Sequence, residues 1–177
     1  MAARAEAHRR VRLAAAGGLA VSGAALLALQ HQIREQEAHL SAWLVRGSGL
    51  LAAHPFGTAV VFPLGRRFAG YSLSPGCTAA FLVAPFCFLF AGAVAMAPRL
   101  PLSRAAIALG TVAAILFIVN QVRLVVIAAA IESWGFQLGY ERSHVFLGTV
   151  VSTVGLVFGL VVFAFMAGIG VPDRWRA

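Results

Sequence analysis

The chain has 177 residues, 60% of them hydrophobic and only 11% charged, with a mean hydropathy of +0.87. That balance excludes an ordinary soluble domain and leaves one integral membrane domain, 1–177. The formal charge of +8 carries no basic stripe with interleaved aromatics, so nucleic acid is not an expected partner and the lipid bilayer is.

In chain order, four segments are apolar over the roughly 20 residues that a membrane helix needs. In the first, 11–29, Arg4, Arg9, Arg10 and Arg12 precede the apolar core. Ala28-Leu29-Gln30 is a poor small-residue cleavage site, so the segment reads as an uncleaved signal anchor. An outer cap, 30–76, comes next. Within it Ile33, Leu40, Trp43, Leu44 and Leu51 recur at helical spacing among Arg34, Glu35, Glu37 and Arg46, which predicts an amphipathic helix lying in the interface. After His54-Pro55-Phe56-Gly57, the stretch 58–62 reads as a strand, Pro63-Leu64-Gly65-Arg66 as a turn and 68–73 as a second strand. The resulting β-hairpin runs straight into Cys77 and either caps the bundle or adds an extended substrate motif to its edge. Spans 78–97, 105–131 and 145–169 complete the chain. The fold class expected is an all-α membrane protein, a four-transmembrane helical bundle with an outer cap of one amphipathic interfacial helix and a short β-hairpin.

Charge sets the orientation. With the N-terminus inside, Arg4, Arg9, Arg10, Arg12, Arg99, Arg104, Arg174 and Arg176 fall in three short inner segments. Arg34, Arg46, Arg66, Arg67 and Arg142 fall in longer outer ones. The expected location is the cell membrane, with both termini cytoplasmic.

Arg123 stands out inside the third span because a central arginine costs about 2.5–3.5 kcal/mol to insert, so it faces protein and has a task. In this topology it lies in the outer half of its span. Cys77 lies where the cap enters the second span, and His144 where a short outer loop enters the fourth. Asn120 shares the face of Arg123 and is placed to brace its guanidinium. Glu141, three residues before His144, is placed to orient the imidazole. His144 also heads a small-residue row, Gly148, Ser152, Gly155 and Gly159, suited to close helix packing.

Cysteine, imidazole and a fixed cation at one depth point to nucleophilic acyl transfer. The thiolate is the reactive form of cysteine, an imidazole moves the proton, and a guanidinium holds developing charge. Duller uses exist for each: a packing cysteine, an interfacial histidine, an arginine that snorkels or pairs with Glu132. Cys87, deep in an apolar run, reads as core. His31, His39 and His54 lack paired ligand spacing, so no metal, cofactor or disulfide is expected. Two other function classes fit the composition: a non-enzymatic membrane assembly partner, and a small transporter using Arg123 and His144 as intramembrane charges.

Three blocks carry a resemblance: Ser74-Pro75-Gly76-Cys77-Thr78-Ala79 at the start of a span, Asn120-Gln121-Val122-Arg123-Leu124 in the next, and Ser143-His144-Val145-Phe146-Leu147-Gly148 opening the last. In order and membrane placement they resemble the signature blocks of the exosortase/archaeosortase family over roughly residues 55 to 160. The resemblance implies a membrane cysteine protease or transpeptidase with Cys77 as nucleophile and Arg123 and His144 completing the site. It also implies membrane-anchored protein substrates that carry a C-terminal motif, a transmembrane helix and a basic tail. Members commonly have Ser-Gly after the cysteine where Thr78-Ala79 stand here, and many have about twice as many spans. Histidine in the third block matches the bacterial branch.

Overall fold

The computed structural model describes residues 2–50, 52–98, 100–143 and 148–167; Leu51, Arg99, His144, Arg174 and Arg176 lie outside these ranges. Helix α1 (Ala2–Ala28) passes into α2 (Gln30–Gly47) with the hydrogen-bond ladder continuing across Leu29, since Leu29 N donates to Ala25 O and Ile33 N to Leu29 O. Three short strands follow, β1 (His54–Phe56), β2 (Ala59–Leu64) and β3 (Arg67–Ser72), then a 3-10 turn, Pro75–Cys77. The rest is helical: α3 (Ala79–Met96), α4 (Leu102–Trp134), α5 (Phe136–Glu141) and α6 (Gly148–Ala167).

Among the described residues three helices are long and apolar enough to cross a membrane: Glu6–Ala28, Ala79–Met96 and Leu102–Trp134. The protein is therefore a helical membrane protein with a small sheet. The fourth expected span, 145–169, is described only within α6, where Thr153–Phe165 forms a shorter apolar stretch. Helix α4 outruns its expected limits, 105–131. It begins directly after Pro101, whose extended backbone suits a helix start, and ends at Gly135 with φ +77°, a left-handed turn that favours glycine. Its 33 residues reach about 50 Å, more than a bilayer core requires, so one helix serves two hydrophobic cores.

The first core lies among α1, α3, α4 and α6 and centres on Phe86, Phe90, Val94, Val112, Leu116 and Phe163. Phe90 and Phe163 meet edge to face at 4.6 Å. Gly155 and Gly159 of α6 pack here: a methyl on Gly155 would touch Val119, and one on Gly159 would sit 2.9 Å from the Phe86 ring. The second core joins α2 and the sheet to the C-terminal part of α4 through Ala38, Ala42, Val45, Val60, Phe62, Tyr71, Leu124, Ile127 and Ile131.

The sheet corrects the expected hairpin in two ways. It has three antiparallel strands in the order β1-β2-β3, because His54-Pro55-Phe56 also pairs with β2. The turn is only Gly65-Arg66, with Gly65 at φ +62°, and Pro63 and Leu64 are strand residues. Pro63 is tolerated because it lies beyond the β1 ladder, which ends at His54–Val61, so its missing N–H leaves no ladder bond unmade. Helix α2 packs on the sheet through its small-residue face. Its buried residues are Glu37, Ala38, Ser41, Ala42 and Val45, while Trp43 is exposed. Small side chains allow α2 to approach the sheet closely, and the Ser41 and Tyr71 hydroxyls meet at 2.7 Å within that contact.

At the far end of the first core, Arg12 is buried and donates to the carbonyls of Val94, Ala97 and Leu100. The last carbonyls of a helix have no partners of their own, and a cation there also complements the helix dipole. Arg12→Ala should therefore cost about 3 kcal/mol, whereas the exposed Arg10, paired with Glu6, should cost well under 1 kcal/mol. Thermal unfolding of both variants in detergent measures the contrast.

Candidate active site

The chain is drawn tight where the sheet ends. Cys77 N donates to Ser74 O at 2.8 Å, closing the 3-10 turn, and Ser74 Oγ donates to Cys77 Sγ at 3.1 Å. Thr78 has extended backbone and caps α3, its Oγ1 accepting from Ala80 N at 3.2 Å. Glu37, reaching across from α2, accepts from Ala79 N at 2.8 Å. Phe81 N donates to Thr78 O. The first amides of α3 thus already have acceptors, so this helix start is not an open anion site. Any charge developing near the thiol must be met by side chains.

Helix α4 supplies them. Arg123 Nη2 donates to Cys77 Sγ at 3.4 Å, and Asn120 Nδ2 donates to Cys77 O at 3.1 Å. Both residues are buried, Arg123 to 6% and Asn120 to 1% exposure. Arg123 therefore does not snorkel, and Glu132 is exposed. Asn120 has a different task from the one expected. Its amide nitrogen is spent on the Cys77 carbonyl, so it anchors the cysteine backbone rather than the guanidinium. The i, i+3 spacing fixed the shared face but not which neighbour would be met.

Glu141 is exposed at the last position of α5, and His144 is outside the described residues. Ser143, between them, is buried and donates to Gly139 O. Cys87 is buried inside α3, and both cysteines are free. Among the described residues no group of three His, Cys, Asp or Glu side chains could hold a metal ion.

Sequence reasoning missed three residues. In the sequence Glu37 is one charge among several on an amphipathic helix; its burial follows only from α2 crossing the start of α3. Burial raises its pKa above the ordinary carboxyl value, against the opposing pull of the Ala79 N–H, the Thr78 hydroxyl and Arg34. Tyr140 lies on α5, which is pressed onto α4 so closely that a methyl on Gly139 would fall 2.4 Å from Ala130 O. Burial raises the phenol pKa, Cys77 raises it further and Arg123 lowers it, which places Tyr140 within electrostatic reach of both. The Gly139-Tyr140 pair in a short connection was the available signal. Gln121 is 5% exposed with neither polar atom hydrogen-bonded, and it lines an apolar groove of about 410 Å³ with Leu40, Leu44, Val122 and Val125.

No family model, curated protein or solved structure matches the chain.

Glu37 gives the site a pH dependence. Below the ordinary carboxyl value of 4.5 both folded and unfolded chains hold the proton. As pH rises through the raised folded value, the buried group must ionise at a cost and stability falls. Measured across roughly pH 4 to 7, thermal unfolding of the native protein should lose ground to Glu37→Gln as pH rises. A difference that stays flat or changes in the opposite direction would contradict the buried acid.

Proposed function

We propose that this protein is a membrane-embedded cysteine peptidase or transpeptidase of the exosortase type, cutting membrane-tethered protein substrates close to the outer face of the cell membrane. The reading includes a fourth span through α6, cytoplasmic termini, and α2 with the sheet as an outer cap. It is supported above all by one contact: Arg123 and Cys77, 46 residues apart, meet at 3.4 Å between guanidinium and sulfur in a buried site. A structural arginine has no need of a thiol, whereas a nucleophilic sulfur gains from a cation that favours its anionic form.

In this mechanism Cys77 Sγ attacks the scissile carbonyl carbon. His144 takes the thiol proton and hands it to the leaving amine as the C–N bond breaks. A thioester remains, which water or an acceptor amine opens with release of the thiol. Arg123 holds charge on the carbonyl oxygen during attack, a duty the occupied amides of α3 leave to it. Asn120 fixes the cysteine carbonyl, so that sulfur and guanidinium keep their separation. The chemistry requires no cofactor.

The test is processing, in intact membranes, of a tethered reporter that ends in an apolar helix and an Arg-rich tail. Cys77→Ala should abolish cleavage and Cys87→Ala should leave it intact. Arg123→Lys, which keeps charge but loses the planar fork, should lower it by roughly 10²-fold or more. Full cleavage by Cys77→Ala would overturn the reading.

A further inference from the structure

The two outer strands of the sheet are not alike. β1 is three residues long and carries Pro55, so its outer edge lacks a donor at the centre. β3 has six residues and no proline, and among the described residues it pairs with β2 alone. Leu73 N donates to Thr58 O, which makes that pair a hydrogen-bonded one. Alternation along the register then turns the main chains of Ala69 and Tyr71 toward β2 and those of Phe68, Gly70 and Ser72 away from it. Three successive outward residues thus offer N–H and C=O groups along the open edge.

A cavity of about 730 Å³ runs along that edge. It is lined by every residue of β3, by Ala59, Val61 and Leu64 of β2, and by Phe136 of α5. It opens over the face of the sheet that carries Ala59 and Val61 of the central strand and extends across to the β3 main chain. Gly70 is required for the close approach of β3 to β2, since a methyl would fall 2.4 Å from Val60 O. Beyond Ser72 only five residues lead to Cys77, at most about 18 Å of chain.

We infer that this edge is a strand-addition site for the extended segment of a membrane-tethered protein substrate, paired through main-chain hydrogen bonds to Phe68, Gly70 and Ser72. This inference rests on the peptidase reading and names how that site receives its peptide. The occupant is an extended peptide because the edge supplies alternating donors and acceptors at strand spacing, which a lipid chain or a helix cannot match. Apolar walls from Val61, Leu64 and Phe136 then receive alternate side chains.

The full chain in phospholipid vesicles is exposed to two pools of random hexapeptides carrying a central benzoylphenylalanine, one with ordinary amides and one fully N-methylated, and cross-links are mapped by mass spectrometry. The ordinary pool should cross-link to residues 67–72 and Phe136 with roughly tenfold or greater preference over the methylated pool. Phe68→Pro, which removes one edge N–H at an exposed position, should abolish that preference, whereas Phe68→Ala should retain it. Equal cross-linking by both pools, or capture of β3 by β3 of a second copy, would overturn the proposal. The reporter assay separates the two readings. Backbone-dependent cross-linking with an active Cys77→Ala variant keeps the docking edge and removes the catalysis. The converse result removes the edge and keeps the nucleophile.

Discussion

The first turn of α3 is held from both sides by buried polar groups, and the rest of the site takes its position from that clamp. Glu37 of α2 holds the Ala79 amide, Asn120 of α4 holds the Cys77 carbonyl, and Arg123 one turn further along α4 meets the sulfur. Arg34 adds a bond to Leu73 O at 3.1 Å, tying the strand exit to α2. Two helices distant in sequence are thereby joined through the few residues that carry the thiol. Apolar packing alone would leave this junction free to slide, because it is non-directional, whereas each hydrogen bond here has one geometry.

The clamp also divides the molecule. On one side lies the core of α1, α3, α4 and α6; on the other lies the core of α2, the sheet and the C-terminal part of α4. Between them is a layer of buried polar side chains, Glu37, Thr78, Asn120, Gln121 and Arg123, in a chain otherwise rich in apolar residues. Placing such groups out of water costs several kcal/mol unless they are paired. The raised pKa of Glu37 is a sign of that cost, since burial outweighs the pull of the Ala79 N–H, the nearby Thr78 hydroxyl and Arg34. On the proposed peptidase reading, a reaction rather than packing sets the residue types of this layer.

How the first amides of α3 are used bears on chemistry. Helix starts are ready anion sites, but Glu37 and Thr78 already occupy this one. In the proposed mechanism, stabilisation of charge near Cys77 therefore falls to Arg123, with the phenol of Tyr140 within electrostatic reach. Tight packing of Gly139 on α4 is what brings α5, and with it Tyr140, to this place.

Much of this was legible in the residues. The membrane class, the limits of α3, the strands on either side of Gly65 and the shared depth of Cys77 and Arg123 follow from local periodicity and from the cost of a charge in an apolar run, both properties of neighbouring positions. The residues did not disclose that His54-Pro55-Phe56 pairs as a third strand, or that α2 buries Ala38, Ser41 and Ala42 rather than its large apolar side chains. They did not disclose that Arg12 serves the end of α3, that Asn120 holds a carbonyl, or that Glu37 caps the helix after the cysteine. Each of those depends on a partner brought close by tertiary packing, and sequence spacing carries no information on which distant backbone group a side chain will meet. Pattern determined the elements and the chemistry available to them; only the fold decided which atoms face one another.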